Sequence, residues 1–192
     1  LLDGGNVSYA GNLTVTVTSG AVARVSGGDI AATAANTRRV LTFGTAEGVI
    51  FAIGSFYIAP RLSGSAGLTI SGGGTITFPA AATFGTTKNY TGTTTINEGG
   101  FTINLAAGIA TSSVVTVAAP ATFTKGNVAL TVTTLNLYSG NTAGAQVVLG
   151  SSALTLLAAG GGTITLQVNG SGAVGAAVTT SLGGTLALGA TR

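Results

Sequence analysis

Large apolar residues fall at every second position through most of this chain, with threonine, serine or asparagine between them. Leu13, Val15 and Val17 alternate with Thr14 and Thr16, Ile76 and Phe78 with Thr75 and Thr77, and Phe101, Ile103 and Leu105 with Thr102 and Asn104. The same period runs through Leu68/Ile70, Val128/Leu130/Val132, Leu135/Leu137, Leu154/Leu156, Ile164/Leu166/Val168 and Leu186/Leu188. Successive strand side chains point to opposite faces, so this period predicts short strands with one apolar and one polar face. Threonine and branched aliphatics suit such strands, and the glycines and asparagines between them suit turns. A helical period is nearly absent. Residues 28–39, GDIAATAANTRR, are the one segment that reads as a helix, and equally as a loop.

The alternation is also repeated. GSAGLTISGGGTITF, from Gly64 to Phe78, returns as GSSALTLLAAGGGTITL from Gly150 to Leu166 with two extra residues. The two GGGTIT cores start at Gly72 and Gly160, so they are 160 − 72 = 88 positions apart. That spacing fits four coils of roughly 22 residues, a common length for a solenoid unit. The fold expected is all-β: a right-handed parallel β-helix, or β-solenoid, forming one domain over residues 1–192. Leu, Ile, Val and Phe would stack inside; Thr, Asn and Ser would line the outside. Roughly nine coils at about 4.8 Å each would make a rod of about 40–45 Å. An antiparallel β-sandwich has the same alternation and is the alternative.

The spacing Tyr90-x-Gly92-x-Thr94-x-Ile96-x-x-Gly99-x-Phe101, behind the segment GLTISGGGTITF, resembles the passenger-associated transport repeat of bacterial autotransporters. The resemblance covers about residues 67–105. It departs at Lys88, where the family usually has asparagine. It implies coils of a secreted β-helical passenger on the cell surface, and it carries no catalytic residues. In the coil it implies, Ile96, Phe101, Ile103 and Leu105 point inward, the threonines and asparagines point outward, and Gly92, Gly99 and Gly100 make the bends.

Composition narrows the chemistry. Only 6% of residues are charged, where ordinary domains have about 25%. The net charge of +3 comes from seven basic and four acidic residues, and only Arg38 and Arg39 place two positive charges together. Nucleic-acid binding calls for a clustered basic stripe with stacking aromatics, which is missing. The most hydrophobic stretch, 40–60, holds Glu47 and three glycines and reads as strands rather than a spanning helix. A transmembrane barrel would need aromatic girdles; there is no Trp, and the aromatics concentrate in the first half. The chain is therefore read as not membrane-spanning. It contains no Met, and Leu1–Gly5 has no signal-peptide pattern, as in a processed or partial secreted chain.

With no His and no Cys, the Ser-His and Cys-His nucleophilic arrangements, disulfides and the main zinc ligands are all excluded. No phosphate-cradling glycine motif is present, and no cofactor is expected. Asp29 in SGGDI is a lone fragment of a calcium-type repeat and reads as a turn residue. Asp29 and Glu47, 18 positions apart, are the one pair of carboxylates that stacking of coils could bring together for glycoside cleavage. Thr-x-Thr pairs at 14/16, 75/77, 93/95, 131/133 and 163/165 resemble ice-binding faces, but their gaps are irregular. Asn-x-Ser/Thr triplets begin at Asn6, Asn12, Asn89 and Asn169. The aromatic cluster Phe43, Phe51, Phe56 and Tyr57 lies in the most apolar segment, where hydrophobes fall on both strand faces. It is core, or a contact between subunits. The expectation is an extracellular or cell-surface structural protein, not an enzyme, that self-assembles into a filament, sheath or surface layer. An adhesin-type module binding a glycan or host surface is the alternative.

Overall fold

The computed structural model describes residues 1–9, 13–32, 39–80, 89–106, 108–109, 114–140, 142–156, 163–167, 177–180 and 186–188. Their regular structure is entirely β, and every pairing between named strands is parallel. The chain winds as a β-solenoid of about five turns. The antiparallel sandwich is thereby set aside.

Most coils visit three faces in turn. The long face is an eight-stranded sheet of β1 (Leu2–Asp3), β4 (Ala21–Ser26), β7 (Gly48–Ala52), β10 (Leu68–Ser71), β13 (Thr94–Ile96), β15 (Val114–Val117), β18 (Thr134–Tyr138) and β21 (Thr163–Gln167). The second face follows it in the chain. It begins with β2 (Val7–Tyr9) and β5 (Ile30–Ala32). A single bridge, Ile30 to Ile58, passes it on to a six-stranded sheet. That sheet holds β8 (Phe56–Tyr57), β11 (Thr75–Phe78), β14 (Gly100–Ile103), β16 (Thr122–Lys125), β19 (Gln146–Leu149) and β22 (Ala177–Thr180). The third face precedes the long one, except ahead of β15, where no strand of it is among the described residues. It comprises β3 (Thr14–Thr16), β6 (Val40–Thr42), β9 (Arg61–Gly64) and β12 (Asn89–Tyr90), then β17 (Leu130–Val132), β20 (Leu154–Leu156) and β23 (Leu186–Leu188).

Alternation becomes stacking. On the long face Ile50, Ile70, Ile96, Val117 and Leu137 form one inward column. On the second face Phe56, Ile76, Phe101, Phe123 and Val147 form another. Phe101 meets Phe78 edge-on at 4.8 Å and Phe123 at 6.1 Å. The inward residues of β10, β11 and β13 through β20 are at most 2% exposed.

Three expectations are corrected. Residues 30–32 of the helix-or-loop segment are strand β5, and 33–38 lie outside the described residues. The coils are not uniform: steps along the long face range from 20 residues (Gly48 to Leu68) to 29 (Thr134 to Thr163). And the two GGGTIT segments are not equivalent, since Thr75 opens a strand of the second face and Thr163 one of the long face. The reason is local. Corners between sheets require the same turn chemistry wherever they occur, so a corner motif recurs out of step with the coil. At the first of these corners Gly72 has φ +87°, and a Cβ on it would stand 2.3 Å from the Ala52 carbonyl oxygen. Residues 160–162 lie outside the described residues.

Candidate functional site

The aromatic cluster divides. Phe43 and Phe56 are core residues, each 2% exposed. The Phe43 ring fills the space a side chain at Gly48 would need. Phe51 and Tyr57 face outward, 40% and 52% exposed. In β7 the inward positions are Ile50 and Ala52, so Phe51 falls on the outer phase; in β8 Phe56 is inward and Tyr57 outward. Ile53, at the corner between them, is 56% exposed, and Val25 of the coil before is 41% exposed. The Ile53 N–H donates to the Arg24 carbonyl at 3.1 Å, which places Val25 and Ile53 on adjacent coils. The four form an apolar ridge around the corner joining the long and second faces.

Behind this ridge Arg24 is buried, and among the described residues no carboxylate pairs with it. Its Nε donates to the carbonyls of Gly27 (2.9 Å) and Gly28 (3.0 Å), and its guanidinium lies 5.4 Å from the Phe56 ring centroid. Gly54 makes room for it: a Cβ there would stand 2.6 Å from the Arg24 Nη1.

The candidate carboxylate pair is separated by the coil path. Glu47 lies just ahead of β7 on the long face, and its Oε1 accepts the Thr69 hydroxyl. Asp29 lies beyond the far end of that face, and its Oδ1 accepts the Tyr57 N–H at 2.9 Å. The local coil step is 28 residues, from Ala21 to Val49, so 18 residues carry the chain to a different corner. Asn6 repeats the Asp29 arrangement one coil earlier, its Oδ1 accepting the Asp29 N–H at 2.7 Å. Of the other triplets, Asn89 opens β12, and Asn12 and Asn169 lie outside the described residues. Among the described residues no three of His, Cys, Asp or Glu come together as metal ligands.

Threonines form columns that the irregular gaps conceal. On the long face Thr69, Thr95, Thr116, Asn136 and Thr165 share one column. On the second face Tyr57, Thr77, Thr102, Thr124 and Val148 share another. Beside it stand Thr75, Gly100, Thr122 and Gln146. The five Thr-x-Thr pairs are spread over all three faces, because unequal coils make sequence gaps a poor guide to register. The expectation that the threonines of the Tyr90–Leu105 coil face outward fails at Thr94: in phase with Ile96, it points inward, fully buried, and its hydroxyl lies 2.8 Å from that of Tyr90. One group escaped the sequence reading altogether. Lys125 is fully buried in line with Ile103 and Leu149, its Nζ donating to the carbonyls of Gly126 (3.0 Å) and Val128 (2.8 Å). Its signal was present: in TFTK, Lys125 is in phase with the inward Phe123. Burial lowers the Lys125 pKa and raises that of the Tyr90 phenol.

The last feature is the end of the rod. The first coils leave a cavity of about 330 Å³ open to the surface, lined by Leu1, Val7, Val15, Val17, Val22 and Leu41 among others. Val7, Val15, Val17 and Val22 pack on the core but are only partly covered. Together the faces, ridge and open end define a parallel β-solenoid with a polar, nearly uncharged exterior. Comparison with known protein families, curated proteins and solved structures finds no match. Among the described residues no helix is long and apolar enough to cross a membrane.

Proposed function

We propose that this chain is an extracellular or cell-surface structural protein whose copies associate side by side. The observation that carries the reading is the apolar ridge of Val25, Phe51 and Ile53, whose side chains are 41%, 40% and 56% exposed. A contiguous apolar patch rimmed by polar residues marks a surface that another molecule covers.

One further feature supports it. Low charge, at 6% of residues, reduces repulsion between copies packed side by side. Secretion rests on the resemblance of residues 67–105 to the passenger-associated transport repeat of autotransporters. Electron microscopy of concentrated protein is the test. Rods packed side by side are expected, and Phe51→Lys, which places a charge on the ridge, abolishes them. Isolated rods at every concentration would sink the reading.

A further inference from the structure

The two long sheets use their outward hydroxyls differently. On the long face the Thr69 hydroxyl is bound to Glu47, and that of Thr116 accepts the Asn136 Nδ2 at 3.3 Å. On the second face the side-chain hydroxyls of Thr75, Thr77, Thr102, Thr122 and Thr124 make no hydrogen bond to any described residue. They are half-buried and lie in two in-register columns. Successive rungs are about 4.8 Å apart and the columns about 6.6 Å apart, so this strip of hydroxyls extends about 14 Å along the axis from Tyr57 to Thr124.

The strip has a defined chemistry. Each hydroxyl both donates and accepts, and no residue of the two columns from Tyr57 and Thr75 to Thr124 is charged; the exposed Glu98 stands at the corner ahead of Gly100. Lys125 follows Thr124 in the chain but points inward and is buried. Asp29, one coil before Tyr57 in the column, already holds the Tyr57 N–H. At the head of the column the Tyr57 ring is 52% exposed, an apolar plate with a polar tip. Gly100 interrupts the second column. A Cβ there would stand 2.6 Å from the Thr75 Oγ1, so the Thr75 side chain already occupies that space.

We propose that the outer face of the six-stranded sheet binds an uncharged, linear polysaccharide laid along the solenoid axis. Tyr57 packs against the C–H face of one sugar ring, and Thr77, Thr102 and Thr124 exchange hydrogen bonds with the hydroxyls of the rings that follow. A linear polymer matches a straight column, and the absence of charge selects against anionic chains. The strip shares only Tyr57 with the apolar ridge, so Thr102→Lys, outside the ridge, separates loss of this binding from loss of self-association.

The test is retention of the full chain on insoluble cellulose and chitin, and its retardation in gels containing neutral dextran or xyloglucan, with alginate as the anionic control. Binding to at least one neutral polymer is expected, unchanged from low to high salt. Tyr57→Ala weakens it about tenfold, equivalent to about 1.4 kcal/mol. Thr102→Lys, remote from the apolar ridge, abolishes it, whereas Thr95→Lys on the long face leaves it intact. Circular dichroism of each variant establishes that the solenoid is kept. Retention by alginate alone, retention indifferent to Thr102→Lys, or ice shaping without polysaccharide binding would each overturn the proposal.

Discussion

The coils from β10 to β20 and the coils around β1 to β4 obey the same sequence rule and reach different ends. In the first group the inward residue of every strand is at most 2% exposed. In the second, Leu13 is 44% exposed, and Val15 and Val17, in the same phase, are only partly covered. Alternation assigns a side chain to the inside; the neighbouring coil supplies the burial. A solenoid core is therefore complete only where each coil has another on both sides.

The largest expected contrast lies in the core. Phe101→Ala removes the middle ring of the Phe78–Phe101–Phe123 stack and should cost about 3–5 kcal/mol in denaturant unfolding. Val15→Ala, in a strand covered on one side, should cost less than about 1 kcal/mol in dilute protein. Equal costs would mean that the first coil is fully packed already.

Glycines sharpen the same contrast. Gly99 has φ +71°, and a Cβ on it would stand 2.3 Å from the carbonyl oxygens of both Gly72 and Gly74. Gly4 has φ +76° with nothing within 4 Å. Gly99→Ala carries backbone strain and a clash with the adjacent coil, whereas Gly4→Ala carries only the left-handed penalty of about 1–2 kcal/mol. Thermal unfolding should rank Gly99→Ala well below Gly4→Ala.

Two buried titrating groups in the complete coils give pH signatures of opposite sign. Burial depresses the folded-state pKa of Lys125 below its ordinary 10.5. Below the folded value the ammonium is charged in both states and its burial costs in full. As pH rises from there toward 10.5 the folded state sheds its proton first, so stability increases. Lys125→Met removes that rise. Tyr90 acts in the opposite sense: burial keeps its phenol protonated above the ordinary 10.0, so the unfolded chain ionises first and stability falls as pH climbs past that point. Tyr90→Phe removes the fall, at the loss of the Thr94 hydrogen bond, about 1 kcal/mol. Unfolding midpoints across this range check both signs.

Much of this was legible in the chain. Strands β3, β10, β11, β14, β17, β18, β20, β21 and β23, and the inward choice of Ile96, Phe101, Ile103 and Leu105, follow from period-2 alternation. Gly92 and Gly99 stand at bends, where only a residue without Cβ takes their backbone at low cost, whereas Gly100, expected at a bend with them, lies in β14. Coil length was not legible. A step is set by how much chain loops out at corners, and loop length leaves no periodic trace. That is why the spacing of Gly72 and Gly160 misled, why Asp29 and Glu47 do not meet, and why the hydroxyl columns of the second face could not be read from their gaps. Phase errors at corners had the same source: Phe51 and Phe56 are alike in sequence, but the corner at Gly54 and Ser55 sends one out and the other in.

The central claim is that copies of the solenoid associate through the exposed ridge of Val25, Phe51 and Ile53. Sedimentation velocity followed as protein concentration rises tests it most directly. The account predicts that the sedimentation coefficient climbs with concentration and that Phe51→Lys holds it at its dilute value. A coefficient that is the same at every concentration would contradict it.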